Sequence, residues 1–476
     1  MRRRLRIAAV SAALLSAAVA VLPDTALAHG LIGRQDLPIP RWLFAWAAAV
    51  VLVISFVALA VLWPKPRLED ATERRVLRVP AVLEVLTGAI GIAAFAFIVY
   101  AGFAGTQTAT ANIEPTVIYV IFWVGIPVAS ALFGDVFAPF NPWRALARGV
   151  AWIAGRVTGG RVPAPMAYPA WLGRWPAALG ILAFAWVELV YTNRDDPSIL
   201  AVLALLYAAT QLIGMSVYGI DTWTHRADAF AVYFNLFSKL APLHWRRGVL
   251  YRRLPLAGAP RLDVMPGTIA LLCTMIGTTS FDGLSQGTLW NGTNGIGPNL
   301  QDRFVNLGFS EVTALEISWT IGLVLMVCFV GGLYRAGIAG MGSIGGRHNR
   351  GELAQKFVHS LIPIALAYVV AHYFSLLVYQ GQAMASLVSD PLGDGSDIFG
   401  SAATIIDYNV ISATGIWYVQ VAALVLGHAA GLTLAHDRAL VVYRRVRDAT
   451  RSQYWMLAVM VGFTSLGLWL LSASAQ

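Results

Sequence analysis

Long apolar runs separated by short polar segments set the pattern of this chain. The runs are Trp42–Trp63, Ala81–Phe103, Thr116–Phe133, Trp175–Tyr191, Ile199–Tyr218, Val264–Ser280, Val312–Leu333, Phe357–Tyr379, Gly415–Ala435 and Tyr454–Leu471. Most approach the ~20 residues needed to cross about 30 Å of hydrocarbon as a helix. In lipid, every backbone polar group must be satisfied within the segment, which makes such runs helical. The pattern predicts an all-α integral membrane helical bundle with about ten transmembrane helices. A mean hydropathy of +0.65, with 58% hydrophobic and only 12% charged residues, leaves too little charge to coat a soluble protein of 476 residues.

Charge then orients the spans. The net charge of +9 resides mostly in short loops between apolar runs, such as "WPKPRLEDATERRVLR" after the first. That distribution follows the positive-inside rule and gives no sign of nucleic-acid binding. The opposite loops are poor in Lys and Arg; "GQAMASLVSDPLGDGSDIFGSAATIIDYN" has none and is acidic. Ahead of the first span, Arg2, Arg3, Arg4 and Arg6 precede the apolar stretch Ile7–Leu22, a break at Pro23 and the small-x-small triplet Ala26-Leu27-Ala28. These are the three parts of a secretory signal. The expected organisation is a signal peptide at 1–28 and a single polytopic domain at 29–476. The protein would lie multi-pass in the bacterial cell membrane, with the new N-terminus, His29, outside. Cys273 and Cys328 both fall in expected spans and form no CxxC motif, so they suggest small apolar fillers and no disulfide framework.

Between two of the spans, Phe230, Tyr233, Phe234, Phe237 and Leu240 recur at helical spacing beside basic His225, Arg226 and Lys239. This pattern predicts an amphipathic cytoplasmic segment near 224–253, lying on the membrane surface. "GDVFAPFNPWRAL" reads as a rigid cytoplasmic turn with Trp143 at the interface. His436-Asp437-Arg438 reads as a charged helix end.

Ionisable residues inside spans are costly, and they usually face a cavity, pair or do chemistry. Toward the outer side lie Glu188, Asp282, Glu316 and His372, with His29 on the same side once freed. A carboxylate–imidazole set of this kind suits a divalent metal, zinc or copper, and a metal-bound water could serve as a nucleophile. The α-amine and imidazole of His29, joined by His372, would suit copper. Each carboxylate also has a bland reading: Glu316 as a helix-terminal charge, Glu188 as solvated, Asp282 in "FDGLS" as a turn residue. On the inner side, His359 and His428 fall at comparable depth and form an alternative metal, haem or proton-relay pair; Glu84, Asp135, Asp221 and His225 accompany them. The sequence has no Walker A, HExxH, GxSxG or CxxCH motif, which argues against ATP-driven transport by this chain alone.

The stretches "HGLIGRQDLPIPRWLFAWAAAVVLV", "GDVFAPFNPWRAL", "DTWTHRADAFAVYFNLFSKLAP", "FDGLS" and "GHAAGLTLAHDRAL" resemble a family of bacterial multi-spanning membrane proteins commonly named fenitrothion hydrolase. The resemblance runs nearly the whole chain. It implies hydrolysis of an organophosphorus triester, with a second membrane protein as a partner besides the lipid bilayer and a small-molecule substrate, and it carries over no catalytic residues; the reading of the outer residues as a metal-assisted site rests on the residues themselves. The residues alone are equally consistent with a proton- or ion-coupled transporter, to which Pro127, Pro176, Pro266 and Pro363 would contribute helix breaks, or with a metal-handling factor.

Overall fold

The computed structural model describes residues 41–160, 163–246, 248–344 and 349–473, so the signal and His29 lie outside the described residues. The chain is a helical bundle. In order come α1 (Arg41–Leu62), strand β1 (Arg74–Arg78), α2 (Ala81–Ala104), α3 (Ile113–Phe133), α4 (Pro142–Val157), α5 (Trp175–Leu189), α6 (Pro197–Tyr218), α7 (Ile220–Arg226) and α8 (Ala229–Ser238). Strands β2 (Leu243–Arg246) and β3 (Val249–Arg252) follow, then α9 (Thr268–Ser285), α10 (Ile296–Asn306), α11 (Glu311–Met341), α12 (Arg350–Phe357), α13 (Leu361–Gln380), α14 (Ala413–Val442) and α15 (Val446–Ala473). Among the described residues, six helical stretches are long and apolar enough to cross a membrane. They contain α2, α3, α6, α11, α13 and α14, and each coincides with an expected span. The other four expected spans are also helices: α1, α5, α9 and α15.

The expected and observed structures part most clearly at the centre. Helix α9 is deeply enclosed, with fifteen of its eighteen residues buried. Its polar residues are made compatible with that position by local bonds: Thr278, Thr279 and Ser280 each donate a hydroxyl to the carbonyl four residues earlier. Gly277 lets α11 approach closely, since a Cβ there would meet Val327 Cα at 2.6 Å. Between α13 and α14, Gly427 does the same against Ala367.

Helix α8 corrects the expectation of a surface helix. Nine of its ten residues are buried, and it packs against α3, α5 and α13. Phe230 and Phe234 meet Phe122 with ring centroids 4.7 and 5.1 Å apart, and Tyr233 stacks on Trp123 at 5.0 Å. Between the aromatics, Ala231, Val232 and Leu236 are apolar and buried too, and the one partly buried residue, Asn235, donates to Asp135, so the helix has no wet side. The downstream part of the expected amphipathic segment forms β2 and β3, which with β1 make a small antiparallel sheet in the order β1-β3-β2.

Two motifs expected at the surface are buried anchors. Trp143 is 5% exposed and donates its indole N–H to Asp228 Oδ2 at 2.6 Å. The same carboxylate accepts from Asn141 Nδ2, Tyr207 OH and the Ala231 N–H, which fastens α8 at its N-cap. Asp437 is fully buried and accepts four bonds, from the Trp63 indole N–H and the backbone N–H groups of Arg67, Leu68 and Glu69. His436 reaches the Trp63 carbonyl, and Arg438 pairs with Glu69. The His-Asp-Arg triplet lies in the last two turns of α14 and, largely buried there, holds the segment after α1 in place of forming a solvated helix end.

Candidate functional site

The outer-side residues converge only in part. Asp282 sits in the last turn of α9, and His372 and Tyr373 sit in the C-terminal half of α13. His372 Nε2 lies 2.7 Å from Asp282 Oδ2, and Tyr373 donates its hydroxyl to that same oxygen at 2.9 Å. All three side chains are largely enclosed. One carboxylate oxygen thus holds an imidazole and a phenol at once, a geometry in which a proton can be shared between the pair. The His372 and Tyr373 rings meet edge-on at 4.7 Å, so the phenol limits the rotation of the imidazole.

Beside His372 is a cavity of about 20 Å³, bounded by Thr279, Ser280, Gly283, Tyr368 and Ala371. That is room for about one water molecule. Nearby lies Glu188, from the last turn of α5, in electrostatic reach of Asp282, Tyr373 and Trp123. Its Oε2, the Trp123 indole N–H and the Tyr233 hydroxyl are buried and close no hydrogen bond of good geometry, although Glu188 stands near enough to Trp123 and Tyr373 to bond them. Buried polar atoms normally find partners, so unmet ones gathered at one place mark a site with hydrogen-bonding capacity to spare. Trp123 lies on a π-helical stretch, Val117–Gly125, inside α3. Pro127 follows and has no N–H to return to residue 123, which is where an α-helix would need one. Such wider turns recur at functional sites.

Glu316 does not join this group through any hydrogen bond. Its Oε1 accepts from the backbone N–H and hydroxyl of Thr192, tying the loop after α5 to α11. The inner pair is also separated. His428 packs between Tyr368 and Phe463 with Nδ1 on the Leu424 carbonyl. His359 instead lies near the backbone of Lys356 and Leu434. Leu434 is six residues beyond His428, about 9 Å along the helix. Of the inner rim, Glu84 pairs with Arg144 and Arg148, Arg148 also with Asp221, Asp135 accepts from Asn235, and His225 Nδ1 contacts the Asp221 carbonyl. These are structural ties, the last of them within α7 and the others between separate parts of the chain.

The metal expectations can be tested on donor sets. Among the described residues, no three His, Cys, Asp or Glu side chains come together as a metal site. Asp282 and His372 are bonded to each other, and two donors fall short of the three protein ligands a catalytic zinc takes. The described residues therefore do not fit a zinc or copper ion, and His29 lies outside them. Sequence reasoning named Asp282, His372 and Glu188 but missed Trp123 and Tyr233. The proline at 127 was the signal that could have drawn attention to Trp123. Comparison with family models, with curated proteins and with solved structures finds no match to this chain.

Proposed function

We propose that this protein is a proton-coupled membrane transporter, in which the Asp282–His372 pair takes up and releases the proton and Glu188 passes it on. The observation that carries this reading is the enclosed Asp282–His372–Tyr373 cluster, which lines a water-sized cavity through His372 and neighbours Glu188, Trp123 and Tyr233, whose buried polar atoms close no hydrogen bond of good geometry. Intramembrane ionisable residues arranged in a chain are the usual means of moving protons through a bundle. Interrupted and short helices at the same place, α5, α8 and the π-helical part of α3, supply the discontinuities that transporters use for binding at mid-membrane. The protein would sit in the bacterial cell membrane with its N-terminus outside and take a small solute as substrate.

The test is reconstitution in liposomes that contain a pH-sensitive dye. An imposed solute gradient should move protons in the wild type, and Asp282→Asn should remove that movement. Solute-independent traces in both would sink the reading.

A second reading, hydrolysis of an organophosphorus triester, rests on the resemblance and on Glu188, Asp282 and His372 falling in one neighbourhood. Against its metal-assisted form stands the donor set: Asp282 and His372 supply two ligands where a catalytic zinc takes three. Assay of the same preparation with a chromogenic phosphotriester separates the two. Turnover that disappears in His372→Ala would favour the hydrolase.

A further inference from the structure

The small sheet carries an unusual concentration of positive charge. Arg74, Arg75 and Arg78 on β1, Arg246 on β2 and Arg252 on β3 are all exposed. None of the five is in an ion pair among the described residues. The nearby acid, Glu73, is already engaged by His244 and Arg261. Arg74 and Arg252 are direct cross-strand partners. Like charges placed opposite one another destabilise a sheet, so the pairing costs the free protein stability and calls for an anion from outside. Burial and the neighbouring Arg253 hold the His244 imidazole below its usual range, so the sheet's charge at neutral pH comes from the arginines.

The position of the sheet says which anion. β1 ends at Arg78 and α2 begins at Ala81, so its last arginine is within about 10 Å of a membrane-crossing helix along the chain. Exposed apolar side chains, Val76 and Leu77 in the strand and Val82, Leu83, Val85 and Leu86 in the helix, flank Arg78 on both sides. Leu77 and Trp245 each face Leu250 across the sheet, and both are nearly half exposed. Arginines interleaved with an exposed Trp and Leu at the foot of a span match the headgroup layer, where phosphates lie above the first methylenes.

We propose that the β1-β3-β2 sheet is a docking surface for anionic phospholipid headgroups of the leaflet it touches, with Arg74 and Arg252 sharing one phosphate. This is independent of the proton-transport reading.

The test uses the full chain in nanodiscs of mixed phosphatidylglycerol and phosphatidylcholine. The protein is moved to neutral detergent, and its retained lipids are quantified by mass spectrometry. The wild type should retain phosphatidylglycerol selectively. At about fivefold per arginine, Arg74→Gln with Arg252→Gln should lower that selectivity about 25-fold. Its thermal unfolding in lipid-free detergent should be unchanged or raised, because the opposed charges are gone. Arg75→Gln with Arg78→Gln is the second variant, for use if the first fails to fold. Arg303→Gln on α10 should have no effect. Undiminished phosphatidylglycerol in the folded double variants, an equal loss in Arg303→Gln, or displacement of the lipid by an oligonucleotide would each overturn the proposal.

Discussion

Asp437 and Asp282 are both buried carboxylates deep in one bundle, yet they are built differently. Asp437 spends both oxygens on four donors, three of them backbone N–H groups. Asp282 gathers a histidine and a tyrosine on one oxygen, beside unmet polar atoms of Glu188, Trp123 and Tyr233. A carboxylate saturated by groups that cannot change protonation is fixed, and its value is structural. A carboxylate bonded to a titratable partner, with spare capacity around it, can change state. Saturation, more than burial, separates the anchor from the candidate site.

This contrast can be attacked at several points. The largest effect is expected at the anchor. Asp437→Ala leaves four donors without an acceptor and should cost at least about 3 kcal/mol of stability, read as a fall in thermal unfolding temperature in detergent. A loss under about 1 kcal/mol would mean that water replaces the carboxylate. Asp228→Ala should behave in the same way, since it strips acceptors from Trp143, Asn141 and Tyr207. Asp282→Asn should cost about 1–2 kcal/mol while removing proton movement in liposomes; a variant with normal flux would move Asp282 into the structural class. Glu188→Gln should leave stability within about 1 kcal/mol, because Tyr373 and Trp123 can still donate to the amide oxygen, and should slow flux about tenfold. Smallest is Glu84→Gln. Its partners Arg144 and Arg148 meet it at a half-exposed position, so a change under about 0.5 kcal/mol and unaltered flux are expected.

The same contrast explains what the sequence disclosed. Spans are legible because an apolar run of sufficient length has one outcome in lipid, and the six long apolar helices fall where the runs do. Depth along a span is legible too, and it placed Asp282, His372 and Glu188 in one layer. Rotation about the helix axis is not. Asp282 and His372 are 90 residues apart, and nothing local says that α9 and α13 turn those faces toward each other. Glu316, at a similar depth, faces Thr192. Helix α8 was misread for a related reason. Its aromatic positions recur at helical spacing, and flanking charges suggested a wet face, yet Asp228, taken alone, gave no hint that it would be capped by Trp143 from 85 residues away. The His-Asp-Arg triplet carries three polar groups that ordinarily end a helix, and only the returning segment at Trp63–Glu69 makes it an interior feature.

The burial of α8 has a consequence for how the protein is made. Ten residues cannot span a bilayer, so insertion machinery that recognises complete spans has no reason to retain this segment when it emerges. Its walls are α3 and α5, synthesised earlier, and α13, which appears more than a hundred residues later. Until then Phe230, Phe234 and Phe237 have nowhere complete to go. The candidate site, which borrows Tyr233 from this helix and His372 from that late wall, is therefore among the last parts of the molecule to come into being.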